Sequence, residues 1–236
     1  MEHDIQKQIV LKLIHSPAMT FNELWGKDGE SNKFAYHLKK LEEGGLVWKD
    51  GEHYHLTSEG KKLSAFIEGD TGGRADFPTL TVILLVKQGA KYLCQRRLKE
   101  PFHGYWGFVS GKINFGLNVF ECATRDLLEE SGLHSDEWQM KALEQVKTYD
   151  ENGLLHHHYL FIVQTEKITG ELLEKTHKAE HEWLTVEEYK AKEERFPSEW
   201  FFDHILPAKK PMLLEAERFM EKGKFVGGKA TRVDEF

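Results

Sequence analysis

Asp126, Glu129 and Glu130 are the residues of this chain best placed to do chemistry. They stand at i, i+3 and i+4 in the stretch GKINFGLNVFECATRDLLEESGL, residues 111–133, so a helix there puts the three carboxylates on one face. Acids crowded in this way repel one another unless a positive charge lies among them. Hard divalent cations, Mg²⁺ or Mn²⁺, take oxygen ligands and keep several waters or phosphate oxygens. The stretch ends in Ser131-Gly132-Leu133, a glycine C-cap. The acids therefore sit near the negative end of the helix macrodipole, a local cost that a bound cation would offset. A solvated acidic face is the plainer reading of the same three residues.

The stretch resembles the signature box of Nudix hydrolases, G-x5-E-x7-R-E-U-x-E-E-x-G-U, with U a bulky apolar residue. Gly111 takes the first glycine, Arg125 the arginine, Leu127 the apolar position and Glu129 and Glu130 the paired glutamates; Gly132 and Leu133 close the box. Leu117 stands where the family has its first glutamate, and Asp126 where it has the glutamate after the arginine. Upstream, Gly104-Tyr105-Trp106-Gly107-Phe108 is similar to the family's G-x-W-x-F approach, with Val109-Ser110 in place of the usual Pro-Gly. The resemblance implies an α/β/α sandwich with a mixed sheet. It implies hydrolysis of a nucleoside diphosphate linked to another group, with Mg²⁺ or Mn²⁺ held by Glu129, Glu130 and Asp126. In the family the first box glutamate pairs with the arginine, which leucine cannot do. Glu121 lies four residues before Arg125 in the better charge order, so Glu121 is expected to take that role, with the loop from Gly111 to Gly116 less firmly anchored.

Composition sets the frame. A chain of 236 residues with 40% hydrophobic and 30% charged residues reads as globular and holds one domain or two. A net charge of -7 argues against a protein that coats nucleic acid broadly. Two cysteines, Cys94 and Cys122, are too few for a disulfide scaffold or a zinc site and read as small core residues. The start, Met1-Glu2-His3-Asp4, is acidic with no apolar run behind it, and no stretch is long enough to span a membrane. The cytoplasm is the expected location.

Residues 1–68 read as a separate domain. The patterns predict a helix over 4–16, a short helix opened by a Thr20/Glu23 capping box, and a third helix over 32–43 capped by Ser31. Two strands follow around Asp50-Gly51, then a last helix from Thr57 towards Ile67. SNKFAYHLKKLEEGGLV and YHLTSEGKKL resemble the recognition helix, wing strand and closing helix of a winged helix-turn-helix. Such a domain lays its third helix in the major groove of double-stranded DNA, which makes Lys33, His37, Lys39 and Lys40 the candidate DNA contacts. Residues 1–70 hold nine lysines, no arginine and twelve acids, a formal balance of -3. Because DNA affinity rests largely on neutralised phosphates, dimerisation or protein contact is the alternative use.

Residues 69–78, GDTGGRADFP, read as a linker, residues 79–194 as the Nudix domain and residues 195–236 as an extension. Thr79 to Val86 and Lys91 to Arg97 are expected strands, with Arg96 and Arg97 on opposite faces so that one can meet a phosphate. Trp138 to Thr148 and His157 to Gln164 are further strands. His156, His157 and His158 alternate faces and cannot share one ion, so they read as a sheet edge. Residues 196–211, FPSEWFFDHILPAKKP, are expected to pack on the sheet or on a partner in a homodimer. Met212 to Lys222 reads as a terminal helix and Gly223 onward as a polar tail.

By the resemblance, one acid of the set would orient or deprotonate the attacking water, and Glu180 or Glu182 would supply the extra glutamate that family enzymes take from a later loop. The base would stack on an aromatic drawn from Phe102, Tyr105, Tyr149 and Tyr159. A rival reading is a transcription regulator whose Nudix domain senses a nucleotide ligand and hydrolyses it little.

Overall fold

The first unit is organised by apolar residues of its first three helices. In the computed structural model, which describes residues 3–71, 73 and 75–236, the chain divides into units 1–76 and 77–236. The first holds helices α1 (Asp4–His15), α2 (Phe21–Trp25), α3 (Ser31–Glu43) and α4 (Ser58–Ser64), and strands β1 (Met19–Thr20), β2 (Val47–Asp50) and β3 (His53–Leu56). The strands form an antiparallel sheet in the order β1-β3-β2. Ile9, Val10, Leu13, Leu24, Phe34 and Leu38 are buried in its core. The Thr20/Glu23 capping box forms. Ser31 is not the cap of α3: the helix begins on Ser31, with Glu30 at the N-cap and no side-chain cap bond. Met1 and Glu2 of the acidic start, and Gly72 and Arg74 of the expected linker, lie outside the described residues.

The second unit is a large mixed sheet with a helix on one face. Its strands are β4 (Thr79–Gln88), β5 (Lys91–Arg97), β6 (Trp106–Lys112), β8 (Gln139–Asp150), β9 (Gly153–Thr165), β11 (Ala179–Leu184), β12 (Met212–Glu221) and β13 (Lys224–Glu235). They run in the order β11-β5-β6-β4-β9-β8-β12-β13. The pairs β4–β9 and β12–β8 are parallel, the others antiparallel. Two-residue strands β7 (Leu133–His134) and β10 (Thr169–Gly170) pair separately. Helix α5 (Val119–Ser131) covers one face, burying Cys122, Ala123 and Leu127 against Val82, Leu84 and Val109. Helix α6 (Val186–Lys190) and a π-helical turn, Phe201–Ile205, belong to the other side, where Trp200, Phe201 and Ile205 pack on Leu85, Ala142 and Ile162. Residues 196–211 thus pack on the chain's own sheet.

The end of the chain departs from the expected helix and tail. Met212–Glu221 is a strand on β8, and Lys224–Glu235 returns as a hairpin partner. Leucine, glutamate, alanine and arginine favour a helix, but the weak propensity yields to ladder hydrogen bonds and to the burial of Leu214 and Ala216 at alternate positions. Lys222 and Gly223 both take left-handed backbone, φ 49° and 77°, the geometry of a tight hairpin turn.

Candidate active site

Helix α5 is fixed at both ends by its own sequence. Asn118 Oδ1 accepts from the backbone N–H groups of Phe120 and Glu121, each at 3.0 Å, and Glu121 accepts from the Asn118 N–H at 2.8 Å. Gly132 closes the helix with φ 75°. Asp126 comes to lie against Gly111 of β6, where a methyl group in place of the glycine hydrogen would overlap its carboxylate.

Arg125 does not pair with Glu121. Its guanidinium donates to Asp126 Oδ1 from Nε at 2.9 Å and from Nη2 at 2.6 Å, and Nη2 also reaches the Lys112 carbonyl at 3.3 Å. Glu121 is exposed and already engaged in its capping box, whereas Asp126 is buried, where charge is less screened. Asp126 Oδ2 is buried with no hydrogen-bond partner. Burial pushes the Asp126 carboxyl above its ordinary range, Arg125 pulls it down, and Glu129 and Glu130 push it up again. Glu130 accepts from Lys178 Nζ at 3.0 Å and has Lys99 Nζ at 3.8 Å; Glu129 is exposed.

Asp126, Glu129 and Glu130 all line a cavity of about 620 Å³, together with Arg97, Lys99 and Arg125. Among the described residues, no three His, Cys, Asp or Glu side chains close on one point as a ligand set does. Arg125 holds one oxygen of Asp126, and the lysines draw Glu130 to themselves. The strands supply a second polar group to the same cavity: Gln95 of β5, Glu144 of β8, His158 of β9 and Arg218 of β12. Burial pushes the His158 imidazole down to about 4, so it is neutral at pH 7.

A NUDIX-domain family model matches residues 77–204, more than half of the chain. The chain belongs to the Nudix family, whose hydrolases act on nucleoside diphosphate-linked substrates. The mMutator MutT protein of Bacillus halodurans shares its fold at a TM-score of 0.52 and 20% identity, over 65% of this chain and 97% of that one. The MutT NUDIX hydrolase of Burkholderia pseudomallei matches at 0.42 and 20%, over 48% and 87%. The NUDIX domain of Shewanella oneidensis NrtR, complexed with ADP ribose, matches at 0.41 and 16%, over 56% and 85%.

Within this Nudix domain several expected residues stand elsewhere. Glu180 pairs with Lys175 at 2.7 Å and Arg96 at 3.7 Å, and Glu182 with Lys192 at 2.8 Å; neither lines the cavity, because outer strand β11 turns both towards cations of its own. Of the two adjacent arginines, Arg97 faces the cavity, donating to the Pro101 carbonyl at 2.9 Å. Of the four aromatics only Phe102 lines it; Tyr149 packs on Phe219 and Tyr159 beside His157. Of the three histidines His158 is paired on both sides, with Thr79 of β4 and Val146 of β8, whereas His156 and His157 pair with β8 alone, as the expected sheet edge would have it. They do alternate: His156 and His158 rings lie 5.8 Å apart, and His157 meets Gln145 Nε2 at 2.8 Å. In the first unit Lys33, Lys39 and Lys40 are exposed on α3. His37 is not: it is buried, its ring stacked on His3 with centroids 3.8 Å apart, and burial lowers its pKa. No helix among the described residues is long and apolar enough to cross a membrane.

Glu144, Gln95 and Arg218 had no place in the sequence expectations. Glu144 had a signal: it is a charged residue between Ala142 and Val146, at the parity that both bury.

Proposed function

We propose that this Nudix chain is a divalent-metal-dependent hydrolase that cleaves the diphosphate of a nucleoside diphosphate linked to another group. Asp126 carries the reading. It is a buried carboxylate with one oxygen unpartnered, beside two further acids, in a cavity wall that also bears cations. Leaving such an oxygen without a partner is costly. Carboxylate oxygens are what Mg²⁺ and Mn²⁺ take, so Asp126, Glu129 and Glu130 fit the ion that the family uses. A divalent ion supplies charge screening of the diphosphate and acidification of the attacking water.

The chain's own residues do the rest. Arg125 fixes the orientation of Asp126 through two N–H donors that converge on Oδ1. Gly111 leaves the space that Asp126 fills. Arg97 and Lys99 bring positive charge to the diphosphate oxygens, where charge builds as the bond to the leaving group breaks. One acid of the trio orients or deprotonates the water. The test is phosphate release from nucleoside diphosphate sugars, dinucleotides and triphosphates with Mg²⁺ or Mn²⁺. Release with the ions and none with a chelator is expected; no turnover across the panel overturns the reading.

We also propose that residues 1–68 form a winged helix-turn-helix that binds double-stranded DNA, which makes the chain a regulator as well. The supporting observation is α3, which carries Lys33, Lys39 and Lys40 outward next to the β2–β3 hairpin. Binding should weaken with salt, on a slope made shallower by changing these lysines to alanine. Failure to retain any DNA from a random pool at low salt overturns it.

A further inference from the structure

Two buried acceptors on the strand side of the cavity lack donors. Glu144 is 0% exposed; its Oε1 accepts from Trp200 Nε1 at 2.6 Å, and its Oε2 has no partner. Gln95 is 5% exposed; its Nε2 donates to the Phe108 carbonyl at 3.3 Å, which fixes the amide and leaves Oε1 as an acceptor without a partner. Both residues line the cavity. Arg218 acts on Glu144 through its charge but makes no hydrogen bond to Oε2; its Nε donates to the Pro197 carbonyl at 3.0 Å and its guanidinium lies over the Phe196 ring. Phe108, Phe196 and Phe201 line the same space.

We infer that this side of the cavity is a base-reading subsite, in which Glu144 Oε2 and Gln95 Oε1 accept from the N–H groups of an amino-bearing nucleobase. The inference rests on the diphosphate hydrolase reading and names the substrates within it. Adenine, guanine and cytosine present an exocyclic amino group with two N–H donors. Uracil and thymine present one N–H between two carbonyl oxygens, which would face acceptors and leave them unpaired. A site built to receive hydrogen bonds discriminates strongly against a ligand that cannot give them.

The test is calorimetric binding of ADP, GDP, CDP, UDP and TDP to the full chain in Mg²⁺. ADP, GDP and CDP should bind at least about tenfold more tightly than UDP and TDP. Glu144→Gln, whose amide donates as well as accepts, should narrow that ratio to within about threefold. Gln95→Met removes the second acceptor at similar size and should narrow it too, which keeps the test available if the first variant fails to fold. Equal binding of all five, with metal-dependent hydrolysis intact, overturns the subsite alone. Tighter binding of UDP, as a protonated Glu144 donating to a base carbonyl would give, overturns it as well. No binding of any of the five overturns both the subsite and the reading beneath it.

Discussion

Asp126 on the helix side of the cavity and Glu144 on the strand side each keep one carboxylate oxygen buried and unpartnered. Their surroundings differ. Asp126 stands beside Glu129 and Glu130, and Arg125 satisfies only its other oxygen. Three carboxylates share one neighbourhood there, and the ligand proposed for them is a cation. Glu144 has a neutral tryptophan N–H on its other oxygen and the charge of Arg218 nearby, and Gln95 offers a second orphan acceptor in the same cavity. Directional N–H donors on a flat group fit there better than an ion. On the reading proposed above a ligand completes each orphan oxygen, and the groups around it set which kind.

The contrast breaks first at Gly111. Gly111→Ala drives a methyl group into the Asp126 carboxylate. Overpacking of this kind costs about 1–3 kcal/mol. Displacing the carboxylate should lower kcat at least about tenfold while the ratio of base affinities on the strand side stays unchanged. Steady-state kinetics and urea unfolding measure the two parts. A kcat equal to the parent's would mean that Asp126 does not need its present position.

Glu144 sharpens it next. Burial raises its carboxyl, opposed by Arg218 and by the Trp200 hydrogen bond. A carboxyl whose folded pKa is raised is fully favourable to the fold only below its unfolded pKa. Its contribution is lost as pH climbs from the ordinary glutamate range to the raised value. The ligand-free chain should therefore lose stability over that window. Glu144→Gln should remove this slope and gain about 1–3 kcal/mol on the alkaline side, the scale of an unsatisfied buried group. Urea midpoints at pH 5 and pH 8 for both proteins decide it; parallel pH dependence would show that Glu144 finds a partner without ligand.

The smallest effect belongs to Leu117. Arg125 already has Asp126 and the Lys112 carbonyl, and Leu117 is 40% exposed. Leu117→Glu adds at most an exposed ion pair, so kcat should stay within about fivefold of the parent. A larger rise would show that Arg125 lacks an anchor after all.

What could be read from sequence follows the range of the forces involved. The spacing of Asp126, Glu129 and Glu130, the Asp50-Gly51 hairpin and the Thr20 capping box rest on neighbours a few residues apart, and each formed. The Glu121–Arg125 pair was a sound local expectation, lost to a buried acid whose charge is less screened. His37 stood among polar positions of α3, but His3, far off in the chain, stacks on it. The last hairpin was hidden by helix-forming residues whose preference gives way beside an open strand edge. Gln95, Glu144 and Arg218 line one cavity from three different strands, and no spacing announces that. Only the parity of Glu144 among buried neighbours hinted at it.

The most direct measurement is diphosphate cleavage by the parent and by Glu130→Gln as Mg²⁺ is raised from zero. Gln is close to Glu in size, so the fold should persist while one charged ligand is lost. The account predicts saturable activity in the parent, abolished by chelation, and a rate at least about a hundredfold lower in the variant at every Mg²⁺ concentration. Parent-like rates with an unchanged Mg²⁺ midpoint in Glu130→Gln would contradict it.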